Sequence, residues 1–249
     1  MPSTYAEQIG FASGILIGTR TDVANATPQK FGILQDAQVD FTADLKQLHG
    51  QGRYAIALAP GKTKIEIKAK FAGIRGAMWN DLYFGEITTA TQIQFADSES
   101  RSIPATPFQI TVTNAATFAT DQGVFYTATG QPLKKVASAP ATGQYSVSAV
   151  GVYTFAAADT TLGVLISYTY TSATGIKIPI TNQLLGVGPS FSLILSQGYD
   201  GRTGNYIFNA CKCSKLNLPT KQDDFTIFDM DIMASADAAG NIGSINLGL

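Results

Sequence analysis

Strict two-residue alternation constrains this chain more than any other feature. Over KIEIKAKF, residues 64–71, Ile65, Ile67, Ala69 and Phe71 fall on one side and Lys64, Glu66, Lys68 and Lys70 on the other. Successive strand side chains point to opposite faces, so this run is a half-buried strand with a charged outer face. DAQVDFTADL repeats the pattern, with Ala37, Val39, Phe41, Ala43 and Leu45 set against Asp36, Gln38, Asp40, Thr42 and Asp44. Near the end, Phe228, Met230, Ile232 and Ala234 share a face opposite Ile227, Asp229, Asp231 and Met233. A chain patterned this way must build sheet.

Just past Phe71 the period changes. Ile74, Ala77, Met78 and Leu82 recur at three-to-four spacing, which predicts one short amphipathic helix over about residues 73–84. RYAIALAPGKTKIEIKAKF reads as a strand pair turned at Pro60-Gly61. ASGILIGTRTDVANATPQKFGIL reads as a strand, a polar loop closing near Pro28, and a second strand from about Phe31.

From Ser98 the texture shifts. ESRSIPATP reads as a linker, and FQITVTN, GVFYTAT, YSVSAVGVYTF and GVLISYTYTS follow as short strands punctuated by Gly, Pro and Asp. The expected organisation is a sheet-rich core from residues 1–103 and 175–249, interrupted by an inserted β module at 104–174. The fold class is mainly β, an antiparallel sandwich or barrel core with one short α-helix and a small second module.

Charged residues make up only 14% of the chain and hydrophobic ones 45%, against roughly 25% charged in an average soluble domain. Such a surface is expected to hide part of itself by self-assembly. The formal net charge of -1 predicts no tight electrostatic grip on nucleic acid or anionic lipid. The sequence has no apolar run long enough to span a membrane, and MPSTYAEQIG lacks the basic start and apolar stretch of a secretory signal, so a chain made in the cytoplasm is expected.

Clusters of catalytic residue types are missing. His49, the sole histidine, sits in QLHGQG and reads as a turn residue at a strand end. Asp223 and Asp224 are sequence neighbours, which on a strand point apart and cannot flank one bond. GVGPSF and AGNIGSI lack a phosphate-cradling pattern, and ADAAGN supplies too few oxygens for calcium and reads as a hairpin connection. Cys211 and Cys213 lie two apart without a nearby histidine, and read as inert thiols. Neither an enzyme nor a cofactor is expected. Phe125, Tyr126, Tyr145, Tyr153, Phe155, Tyr168 and Tyr170 offer two readings, a sugar-binding platform or ordinary strand aromatics.

KFGILQDAQVDFTADLKQLHGQGRYAIALAPGKTKIEIKAKFAGIRGAMWNDLYFG resembles the N-terminal part of tailed-bacteriophage tail tube proteins. FNACKCSKLNLPTKQDDFTIFDMDIMASADAAGNIGSI looks like the matching end of that class, and DQGVFYTATGQPLKKV, PATGQYSVS and GVYTFAAADTTLGVLISYTY are similar to a module of related phage structural proteins. The resemblance implies a non-enzymatic virion subunit, made in the host cytoplasm, that forms hexameric rings stacked into a hollow tube. Neighbouring subunits would share one continuous barrel around the channel through which genomic DNA leaves. Its implied partners are further copies of itself and other tail proteins: tape measure, terminator, baseplate and, in a contractile tail, sheath. A single-ring terminator, neck or baseplate protein, or a carbohydrate-binding adhesin module, are the alternatives.

In that frame an acidic wall lets DNA pass without sticking. The candidate channel-lining residues are Asp36, Asp40, Asp44, Asp229 and Asp231, the other reading being solvated outer faces. Lys64, Lys68 and Lys70 would be awkward there, and are expected at a subunit boundary facing a neighbour's carboxylates. Either a loop from about Leu45 to Ala59 or one around Arg20 to Gln29 is expected to be long enough to reach the next ring.

Overall fold

A computed structural model of the chain describes residues 13–73, 75–199 and 202–247. In chain order the elements are β1 (Ile15–Arg20), β2 (Gln29–Lys30), β3 (Ile33–His49), β4 (Ala55–Ala72), α1 (Gly76–Trp79), a π-helical turn (Asn80–Phe84), β5 (Gln92–Ser102), β6 (Gln109–Thr111), β7 (Phe118–Tyr126), β8 (Lys134–Lys135), β9 (Gln144–Val147), β10 (Val152–Phe155), β11 (Gly163–Ser172), β12 (Phe191–Tyr199), β13 (Arg202–Asn217), β14 (Ile227–Ser235) and β15 (Gly243–Leu247). The fold is mainly β, with antiparallel sheets and one short helix. It divides into two units, Thr88–Lys177 and the remainder of the chain on either side of it. No helix among the described residues is long and apolar enough to cross a membrane.

The larger unit is one sheet in the order β2-β1-β12-β13-β14-β4-β3, with β15 also paired to β13. Its core is the apolar half of the alternating strands: Ile67, Ala69 and Phe71 from β4, Phe228, Met230 and Ile232 from β14, and Leu193 and Leu195 from β12. Met78 and Leu82 of the helical segment are fully buried against this face, at the positions their spacing marks. Trp79 meets Phe228 edge-on, with centroids 5.2 Å apart. Gly18 gives the helical segment its close approach, since a Cβ there would lie 2.9 Å from a Leu82 methyl.

The helix spans Gly76 to Phe84, tighter than 73–84 at its start, and its second half widens to a π-turn. Asn80 explains the end: its side chain donates to the Glu86 carbonyl at 2.8 Å and accepts the Glu86 amide at 3.0 Å, while Gly85 turns left-handed at φ +70°. Ile74 lies outside the described residues.

Pro60-Gly61 does not turn the chain. Strand β4 runs unbroken for 18 residues, and the two residues sit where the β3–β4 register slips between Ala43 and Leu45. A bulge accommodates proline because the ladder is already interrupted there. The true reversal is at residues 50–54, so Leu45–Ala59 is the end of a long hairpin and not a loop. The Arg20–Gln29 stretch is short and closed on itself, with Arg20 donating to both oxygens of Asp22 at 2.9 and 2.8 Å.

ADAAGN is no hairpin either: β14 and β15 both pair with β13, on successive stretches, and the connection leaves the sheet and returns. Asp237 holds it by accepting the amides of Ala239 and Asn241 and the Asn209 side chain.

The second unit is built from a four-stranded sheet, β6-β10-β9-β8, and a three-stranded one, β5-β11-β7, around their own apolar core. Its boundary is earlier than residue 104, because β5 pairs with β11 along nearly its whole length. The polar ESRS run that reads as linker is the end of that edge strand. At the core margin the Asp121 carboxylate, 4% exposed, takes hydrogen bonds from Tyr145 and Tyr153 at 2.9 Å and the Gly123 amide at 3.1 Å, and pairs with Lys135 at 2.9 Å.

Candidate assembly surface

The charged halves of the alternating strands form one face of the larger sheet. Asp36 of β3, Lys70 of β4 and Asp229 of β14 stand in one row, extended by Asn217 of β13. The next row is Gln38, Lys68, Asp231 and Lys215, and the one beyond it runs through Asp40, Glu66, Met233 and Lys212. Cross-strand partners share a face, so Asp36, Asp40, Asp229 and Asp231 of the predicted channel set lie beside Lys68 and Lys70 of the predicted boundary set. Lys64 instead pairs with Thr42, and Asp44 falls at the β3–β4 register slip without a ladder partner. Sequence alternation marks which residues face outward but not which strands are neighbours, so the lysine strand was separable from the acidic ones only on paper.

This face is charge-laddered. Lys70 lies 3.9 Å from Asp36, and Lys215 lies 3.9 Å from Asp231. Lys64 reaches Glu66 at 2.9 Å, and that bond, with the field of Asp44 adding to it, holds its ammonium above the usual lysine range. Asp40 instead accepts the Gln38 amide at 2.8 Å. Lys215 and Lys212 escape sequence reading because they are three apart. The register slip between Cys213 and Lys215 brings them to one face, and an interrupted period is the only signal.

On the opposite face, the apolar row of β3 and β4 continues beyond its cover. Strand β14 reaches only to Ala234, opposite Ile65. At that point Phe41 is 55% exposed, and past it Leu45 is 62% and Leu58 63% exposed, on stretches paired only to each other. The result is a two-stranded arm with its core-side stripe uncovered. Among the described residues no strand pairs with the outer edge of β3, which offers 17 residues of backbone. The outer edge of β15 and the arm portion of β4 are likewise unpaired.

An apolar cleft opens where the arm leaves β15. Phe41, Ala43, Ile65, Ala234 and Ile242 line about 330 Å³ of it, and Phe208 and Ile245 continue it into an adjoining 190 Å³. A second hollow, about 460 Å³, lies between the helical segment and residues 180–189.

The other residues singled out in the sequence fall elsewhere. His49 ends β3, with Nε2 3.1 Å from Gln47 Oε1. Asp223 and Asp224 lie in a loop, where Lys221 pairs with Asp224 at 2.9 Å. Cys211 and Cys213 are unpaired thiols, and burial pushes both up to about 12. Tyr145, Tyr153, Phe155 and Tyr168 are core residues of the second unit, so no exposed aromatic platform forms from them. No group of three or more His, Cys, Asp or Glu side chains among the described residues is placed to hold a metal.

In comparison with known proteins, no family model matches the chain, and no curated protein matches it.

Proposed function

We propose that the chain is a structural virion subunit of the tail tube kind, whose copies close into rings that stack as a conduit for DNA. The long, open edge of β3 and the uncovered arm that prolongs it carry this reading. An exposed edge of that length is an aggregation hazard unless another strand completes it. Pairing in a ring removes the edge sideways and leaves the assembly open along its axis.

Ring closure orients the sheet. The helical segment packs on the apolar face, which leaves the charge-laddered face for the channel. A wall of interleaved lysines and carboxylates has little net field, so it gives a passing polyphosphate no run of cations to release counterions against. Passage without adhesion then rests on cancellation between neighbours, not on a purely acidic wall.

Negative-stain microscopy of the purified chain tests the reading. Hollow cylinders of uniform width are expected. Single rings that never stack would favour a terminator, neck or baseplate role, and a chain that stays monomeric at every concentration would overturn both.

A further inference from the structure

Residues 178–190, IPITNQLLGVGPS, contain no charged side chain. Their centre is a tight turn, Leu184-Leu185-Gly186-Val187, closed by the Val187 amide on the Leu184 carbonyl at 3.2 Å. Gly186 takes φ +87°, the left-handed value of the third position of a type II turn. Leu184 is 83% exposed, and Leu185 is fully so. This projection is braced. Glu86 accepts hydrogen bonds from Thr181 and, at 2.7 Å, from Gln183, whose amide also reaches the Phe84 carbonyl at 3.4 Å. Thr181 first and Gln183 second hold the Glu86 carboxyl below its usual range. Polar contacts therefore hold two leucines out in water, where they gain nothing within one copy.

The same unit carries a receptor of matching chemistry. The cleft at the arm base, about 330 Å³, has Lys64 as its only charged lining residue among the described residues. It exceeds twice the roughly 150 Å³ that accommodates one benzene. We propose that the Leu184–Leu185 turn of one copy seats in the Phe41–Ile65–Ala234–Ile242 cleft of the next. A projection and a receptor at different places on one chain make a heterologous contact, which repeats from copy to copy and closes as a ring or extends as a filament. The cleft borders the free edges of β15 and the arm, so the contact adjoins the strand pairing proposed above. This inference rests on the ring reading and names where one copy grips another.

Sedimentation velocity on the full chain and two variants tests it. Leu184→Asp/Leu185→Asp alters only exposed positions, and Ala43→Arg places a long cation in the cleft from an exposed site. Losing a buried leucine weakens association about 10- to 100-fold, so each variant alone should be monomeric where the unaltered chain assembles. Their mixture should give a one-to-one dimer and stop, because one intact turn then meets one intact cleft. Assembly of the Leu184→Asp/Leu185→Asp variant like the unaltered chain would overturn the contact while leaving the ring reading in place. If only Ala43→Arg failed to assemble, another segment would fill the cleft and the pairing would be wrong. An unaltered chain that never associates would sink both.

Discussion

Lys70 and Asp229 stand directly opposite one another across the β4–β14 ladder, and Asp36 closes the row on the far side of Lys70. One lysine thus faces a carboxylate of its own chain in each neighbouring strand. Lys70→Glu would set three carboxylates side by side. Cross-strand charge pairs are each worth about 0.2–1 kcal/mol, so the reversal should cost about 1 kcal/mol, or about 2–4 °C in Tm. Adding Asp229→Lys should recover most of that loss. Equal melting of Lys70→Glu and Lys70→Ala would show that the ladder contributes nothing.

The helical segment is fitted to the sheet through Leu82 and Gly18. Leu82→Ala should cost about 3 kcal/mol by opening a cavity. Gly18→Ala should cost about 1–2 kcal/mol by crowding Leu82. In the double variant the new methyl enters space that Leu82 has vacated, so the two losses should add to less than their sum. Trp79, the sole tryptophan, packs on Phe228 beside this contact, and its fluorescence reports the unfolding of the larger unit.

The second unit should be acid-sensitive through Asp121. Burial by itself would raise that carboxyl, but Lys135, Tyr145, the Gly123 amide and Tyr153 together outweigh it and hold it below the usual aspartate range. A depressed folded-state value means the stabilisation is complete above the unfolded value of about 3.9 and is lost as pH falls through the lower, folded one. Glu99 is held down in the same sense, against burial, by Tyr168, Arg101 and Thr113. Calorimetry of the full chain should show the second unit's transition falling below about pH 4. Asp121→Asn should lower that transition at neutral pH and flatten its acid dependence. An acid slope unchanged in Asp121→Asn would remove Asp121 as its source.

Shortening the arm separates folding from assembly. Replacing residues 44–62 by an Asn-Gly turn joins Ala43 to its cross-strand partner Thr63 and removes apolar surface that no described residue of the same copy covers, and Asn-Gly suits a two-residue hairpin. Trp79 fluorescence and the Tm of the larger unit should stay within about 0.5 kcal/mol of the unaltered chain, the range of changes at uninvolved surface. Assembly in sedimentation should disappear. A truncated chain that assembles normally would show the arm to be dispensable.

Much of the sheet was legible because both of its faces are written in period two. Ile67, Ala69 and Phe71 are buried, and Lys68 and Lys70 are exposed, as alternation requires. Met78 and Leu82 likewise announced the helix. What alternation cannot encode is strand order, so nothing in KIEIKAKF disclosed that Asp36 and Asp229 would flank Lys70. Bulges hid more: the slip past Cys213 concealed Lys215, and the slip opposite Pro60-Gly61 made a continuous strand look like two. The exposed Leu184–Leu185 turn was invisible for another reason. An apolar pair before glycine reads the same whether it points inward or outward, and only the bracing by Glu86 settles its direction.

Backbone amide exchange along β3 tests most directly whether another copy completes this sheet. In dilute, unassembled chain the amides of residues 33–49 that point away from β4 should exchange freely. In the assembled state they should become protected in alternation, in step with those bonded to β4. An assembled state in which those outward amides still exchange as in free chain would contradict strand pairing between copies.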